Sequence, residues 1–314
     1  MNRFFQITLL ALLSGNHVLA AQTDPAPRTC KNADASALTH FWELSDDTDC
    51  DTFSLRGYKP ISLMGSFSDG VNTQPASPAA NRTALTAEPY QTSELMLQLS
   101  VRTKLAKGLL PSDPGTTDGL WFGYTQKSFW QVFNNKLSRP FRTTDHQPEL
   151  IYVYPLNVDL SDKWTVRYAG LAINHQSNGQ AEPLSRSWNR AILMAGMDAA
   201  SGTQINAQLW QRMPESINTD DNPDIADHLG RAEISSLWPI NPRHALGLTV
   251  RHNLRASGRG ALTLDWTIKP RTTLNNPNAG LRYHVQLFSG YGDSLASYNF
   301  RRSSVRVGVS LVDW

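Results

Sequence analysis

From residue 52 onward the chain alternates apolar and polar residues one by one, in segments of about ten residues separated by turn formers. A period of two puts successive side chains on opposite faces of a β-strand, so each segment carries one apolar and one polar face. In 93–106, Leu95, Leu97, Leu99 and Val101 interleave with Met96, Gln98, Ser100 and Arg102. In 304–314, Val305, Val307, Val309 and Leu311 do the same, and the chain ends on Trp314. The pattern predicts strands at 53–66, 93–106, 118–132, 149–157, 163–177, 187–197, 203–213, 229–238, 243–254, 258–269, 279–290 and 304–314. An even count, this strand length and a closing aromatic describe an all-β, transmembrane antiparallel β-barrel of about 12 strands with its apolar face outward. A soluble β-sandwich also alternates, but the even count, the strand length, the closing aromatic and the amino-terminal export signal together favour the barrel.

Residues 1–20, MNRFFQITLLALLSGNHVLA, pair Arg3 with an apolar run and then small residues at Ala20 and Ala21, the pattern of a secretory signal peptide. Residues 21–52 are expected as an amino-terminal periplasmic extension and 53–314 as the barrel. Mean hydropathy is −0.38, and no later window approaches the roughly 20 apolar residues of a transmembrane helix. Without Arg3, 28 Lys and Arg face 27 Asp and Glu, so no basic footprint for nucleic acid exists. Cys30 and Cys50 can close a loop of about 20 residues, a staple of about 3 kcal/mol in the chain-entropy view; a redox or metal pair lacks further ligands nearby.

If odd-numbered strands run outward, long connections should follow them. Those at 67–92, 133–148, 178–186, 214–228 and 291–303 are long; 107–117 and 270–278 are long for inner turns, and 255–257 is short for an outer loop. On this topology strand 163–177 ends at the cell exterior with His175 and Ser177. They are two residues apart, hence on one face, in the row of Ala169, Leu171 and Ile173 that faces lipid. With a turn near Glu182, facing residues sum to about 364, which sets Asn189 opposite His175. Base, nucleophile and neutral orienter are then together on a lipid-facing surface, as a Ser, His, Asn hydrolase requires. By itself His-x-Ser is a weak motif.

The blocks YTQKSFWQ (124–131), SRPFR (138–142) with PEL (148–150), NHQSNG and SRSWNR (within 174–190), NTDDNPDI (218–225) and SGYGDSL with YNF (289–300) resemble the outer-membrane phospholipase A family. The resemblance implies a 12-stranded bacterial outer-membrane barrel that hydrolyses phospholipid acyl esters as a calcium-dependent homodimer. It makes Ser177 the nucleophile, His175 the general base and Asn189 its orienter. It also makes the Ser185 hydroxyl, the Gln180 carbonyl and Ser138 of the partner subunit, through its carbonyl, the Ca2+ ligands. Gln176 stands where many members carry an acid, Gln180 where some carry Arg, and Glu182 where others carry Asp. In the family's pattern Gln126 bonds across the dimer; the alternative is an ordinary lumen-facing residue. Asp220, Asp221 and Asp224 form either a cation site or a turn-rich outer loop. Trp130 and Trp188 are expected as membrane-interface aromatics, and Arg142, Arg186 and Arg190 as partners of lumenal carboxylates. Two other functions remain open: a lipid A deacylase, whose barrel is smaller at about 8 strands, and a non-catalytic pore.

Overall fold

A computed structural model describes residues 35–273 and 280–311. The signal segment, Cys30 and Trp314 lie outside the described residues. Thirteen strands form one sheet: β1 (Leu55–Gly57), β2 (Ile61–Ser68), β3 (Ser93–Lys107), β4 (Gly119–Trp130), β5 (Phe141–Ser161), β6 (Trp164–Ser177), β7 (Ser187–Ala199), β8 (Gln204–Arg212), β9 (Ala232–Pro239), β10 (His244–His252), β11 (Gly260–Ile268), β12 (Leu281–Gly290) and β13 (Arg302–Leu311). From β2 to β13 each strand pairs antiparallel with the next, and β13 pairs back onto β2, closing a barrel of 12 strands. Closure removes the sheet edges, so the backbone is satisfied without water.

Two strands depart most from the sequence expectation. The expected strand 53–66 is broken into β1 and β2 at Tyr58 to Pro60, because Pro60 has no N–H for the ladder. Side chains of β3 substitute there: Ser100 Oγ accepts from Lys59 N at 3.1 Å, and Gln98 Nε2 donates to the Pro60 carbonyl at 2.8 Å. β5 begins at Phe141, not 149, and runs through Pro148. It can do so because its ladder to β6 passes from His146↔Ser177 to Glu149↔Asn174 without using residues 147 and 148.

The faces are inverted relative to a soluble protein. Leu171, Leu193 and Val307 are 59%, 56% and 53% exposed on the outside, whereas Glu94, Lys104 and Arg306 are buried within. The lumen is filled by charge pairs: Glu94 takes Arg142 and Arg302, and Asp293 takes Lys127 and Arg306. Arg142 thus meets a lumenal carboxylate as expected. Among the described residues Arg190 and Arg186 pair with none. Arg190 donates to Asn174 Oδ1 and stacks over Trp188, and Arg186 donates to the carbonyls of Pro183, Ser185 and Arg82. Trp188 is fully buried on the inward face, with Nε1 donating to Gln176 Oε1, so it is not an interface aromatic.

At the end of the barrel opposite Ser177, α1 (Ala37–Trp42) inserts Leu38 and Trp42 among Trp121, Ile151, Val153 and Tyr168. Its Leu38 N–H donates to Asp198 at the end of β7. The long 108–118 turn serves this cap: Thr117 N donates to the Leu44 carbonyl and Asp46 N to that of Gly115. Cys50, in the same segment, is disulfide-bonded.

Candidate active site

The β6–β7 pairing places Ser177 opposite Ser187 and His175 opposite Asn189, the register in which paired residues sum to 364. Leu171 and Ile173 below His175, and Ala191 and Leu193 below Asn189, are exposed on the outer face, so this pair stands on the outside of the barrel at its long-loop end. His175 Nδ1 lies 2.8 Å from Asn189 Oδ1. An amide oxygen only accepts, so Nδ1 carries the proton and Nε2 carries the lone pair. The hydrogen bond of His175 runs to Asn189 and not to Ser177, the looser arrangement common in sites without substrate.

Residues outside the conspicuous motifs hold this geometry. Asn189 Nδ2 donates to Glu215 Oε1 at 3.4 Å, and because a carboxylate cannot donate, this orients the amide with its oxygen toward His175. Glu215 in turn faces Arg212, 3.8 Å away. Burial raises the Glu215 carboxyl above its ordinary range, against the pull of Arg212. The 213–224 segment is fastened to the strand that carries Asn189. Met213 N donates to the Asn189 carbonyl, and Asn222 clamps the Ser187 backbone in both directions at 3.0 and 2.9 Å. Proximity along the chain gives no sign of Glu215 or Asn222; only the β7–β8 pairing brings them here.

The 178–186 connection is organised by buried Asn178. Its Oδ1 accepts from Gln180 N and Arg186 N, and its Nδ2 donates to the Leu184 carbonyl. Asn178-Gly179 is a turn dipeptide, and Gly179 has φ +62°, the left-handed region that favours glycine. Gln180 and Ser185 therefore share one pinned turn, whereas Ser138 lies on the β4–β5 connection, its carbonyl accepting from Trp130 Nε1 at 2.6 Å. Ser185 Oγ donates to Asp221, whose other oxygen accepts from Arg82 Nε at 2.6 Å, and Arg82 also pairs with Glu182 at 2.8 Å. The three aspartates diverge: Asp220 binds Arg212, Asp221 binds Arg82 and Ser185, and Asp224 binds Tyr298. They serve as loop fasteners, and among the described residues no group of three or more His, Cys, Asp or Glu side chains is placed to hold a metal. Gln126 faces outward, opposite half-exposed Leu99, so it does not line the lumen.

The phospholipase A1 family profile matches residues 38–311. The chain belongs to the phospholipase A1 family. It is 33% identical over 294 residues to a putative phospholipase A1 of Neisseria meningitidis, covering 92% of this chain and 74% of that protein. It is 34% identical over 229 residues to phospholipase A1 of Escherichia coli, covering 72% of each. The solved outer membrane phospholipase A of Escherichia coli superimposes with a TM-score of 0.70 at 29% identity, covering 83% of this chain and 99% of that one. The Salmonella typhi outer membrane phospholipase dimer with bound calcium gives the same score and identity, covering 83% and 93%. Among phospholipase A1 relatives the barrel, its membrane setting and its ester-hydrolase class are thus shared ground.

Proposed function

We propose that this chain hydrolyses acyl esters of phospholipids in the outer leaflet of the bacterial outer membrane, as a calcium-dependent homodimer with Ser177 as nucleophile. The observation that carries it is the His175–Asn189 hydrogen bond at the rim of the lipid-facing surface, two residues from Ser177 along β6. A polar pair on that face is costly against hydrocarbon and finds its use where an ester at the headgroup boundary meets the barrel.

Ser177 Oγ bonds to the carbonyl carbon while its proton passes to His175 Nε2, and the carbonyl π pair moves onto oxygen. Collapse breaks the bond to the glycerol oxygen, which takes the proton back from His175. Water, deprotonated by the same nitrogen, then bonds to the acyl carbon; collapse breaks the bond to Ser177 Oγ, which takes that proton from His175, and the fatty acid leaves. Asn189 holds the ring in the required tautomer without adding a buried charge.

The donor set expected for calcium fits a hard cation: the Ser185 hydroxyl, the Gln180 carbonyl and Ser138 of the partner subunit are all oxygens. Around Ser185 the charges of Arg82 and Arg186 balance those of Asp221 and Glu182, so the fit to a cation rests on the oxygen donors themselves. Calcium, when bound, supplies electrostatic stabilisation of the oxyanion. Tyr124, Gln126 and Thr144 add further polar groups to the outer face, and a second copy of the chain is the natural cover for them.

The decisive assay measures fatty acid release from a defined phospholipid by the detergent-folded protein, with calcium and then with chelator, beside Ser177→Ala. Release should require calcium and vanish in the variant. Unchanged hydrolysis by Ser177→Ala would remove the assignment of the nucleophile. Release from lipid A alone would point to a deacylase.

A further inference from the structure

Directly across the β5–β6 ladder from Ser177 stands a second histidine, His146. It lies on the same outer face, since Leu150 on its strand is 43% exposed while Asp145 and Glu149 point inward. Its Nδ1 is 2.7 Å from the Tyr124 hydroxyl, with the two rings stacked at 29°. The other acceptor within reach of the Tyr124 hydroxyl, Gln126 Oε1, is 3.4 Å away, at the limit of a hydrogen bond, so the hydroxyl proton goes to the nearer Nδ1, which accepts. In the neutral ring the proton then sits on Nε2. The Nε2 edge faces the turn that follows the nucleophile: a Cβ added at Gly179 would lie 3.6 Å from both Nε2 and Cδ2. Among the described residues nothing accepts from Nε2, whereas the hydrogen bond of His175 is committed to Asn189. One imidazole beside Ser177 is thus set as a base and the other as a donor.

We infer that His146 is a further catalytic residue, whose Nε2–H donates to the carbonyl oxygen of the scissile ester as it becomes the oxyanion. This rests on Ser177 being the nucleophile. Tyr124 is a positioning residue that keeps the proton on Nε2.

The test compares His146→Phe, which removes the donor from a similar ring, with His146→Gln, which returns an N–H near the Nε2 position. Both are assayed on a phospholipid and on a long-chain ester without phosphate, with folding followed by heat-modifiable mobility and dimerisation by sedimentation in detergent. His146→Phe should lower kcat about 10- to 100-fold on both substrates with KM nearly unchanged, somewhat less than the loss of a sole oxyanion donor. His146→Gln should recover most of it, and Tyr124→Phe should lose several-fold. Wild-type kcat in folded His146→Phe overturns the inference. So does a loss confined to KM on the phosphate-bearing substrate, which makes His146 a headgroup contact, or a loss that disappears at concentrations restoring the dimer. Failure of the nucleophile assignment is seen separately, as activity retained in Ser177→Ala.

Discussion

In the proposed site Asn189 can stand where more familiar triads have a carboxylate because its own orientation is imposed from behind. Glu215 accepts from Nδ2, leaving Oδ1 to face His175 at 2.8 Å. Truncation by Glu215→Ala frees the amide to flip and should lower kcat roughly tenfold, about 1.4 kcal/mol. The pH dependence follows from burial, which raises the Glu215 carboxyl. The ionised acceptor is present above that raised value and is lost as pH falls through it, so part of the fall in activity on the acid side should follow this carboxyl. Glu215→Gln, which cannot titrate, should remove that component from the kcat/KM profile. An acid limb identical in wild type and Glu215→Gln would show that Glu215 does not support the site.

At the scale of elements, β6 and β7 form a hairpin that works on both faces. The outer row pairs Leu171 with Leu193 and, further up, His175 with Asn189; the inner row holds Asn174, Arg190 and the buried Trp188. A one-residue slip would exchange the two rows, so burial of the inner row fixes the register that makes the site. Leu171 lies midway along β6. Leu171→Arg should therefore cost about 2–4 kcal/mol of stability in a bilayer, measured by guanidinium titration from lipid vesicles. A change within about 0.5 kcal/mol, the size of an ordinary surface substitution, would mean that this row does not face hydrocarbon.

At the scale of the whole molecule, paired charges cross the lumen and α1 packs into one end of it, an interior that fits a filled barrel better than a passive pore. The proposed chemistry sits on the outside, on the face where a second copy and the substrate would meet. If Ser138 of the partner subunit completes the calcium site, activity per molecule should rise with protein concentration in detergent and fall on dilution or chelation. Full activity in a species shown monomeric by light scattering would contradict this.

Much of this was legible in the chain because its signals are local. Alternation between neighbours sets which face of each strand meets lipid, and the short reach from His175 through Glu182 to Asn189 sets one hairpin, so barrel class, strand count and the His175–Asn189 register could be read from residue order. The break at Pro60 and the early start of β5 could not, because each depends on what the neighbouring strand offers a residue that lacks an N–H. Nor could the outer shell of the site. Arg82 meets Asp221 across 139 residues of sequence and α1 meets Asp198 across 160. His146 faces Ser177, and Glu215 reaches Asn189, only through strand pairing. A two-residue period carries no record of which connections meet above a closed sheet; closure of β13 onto β2 decided that.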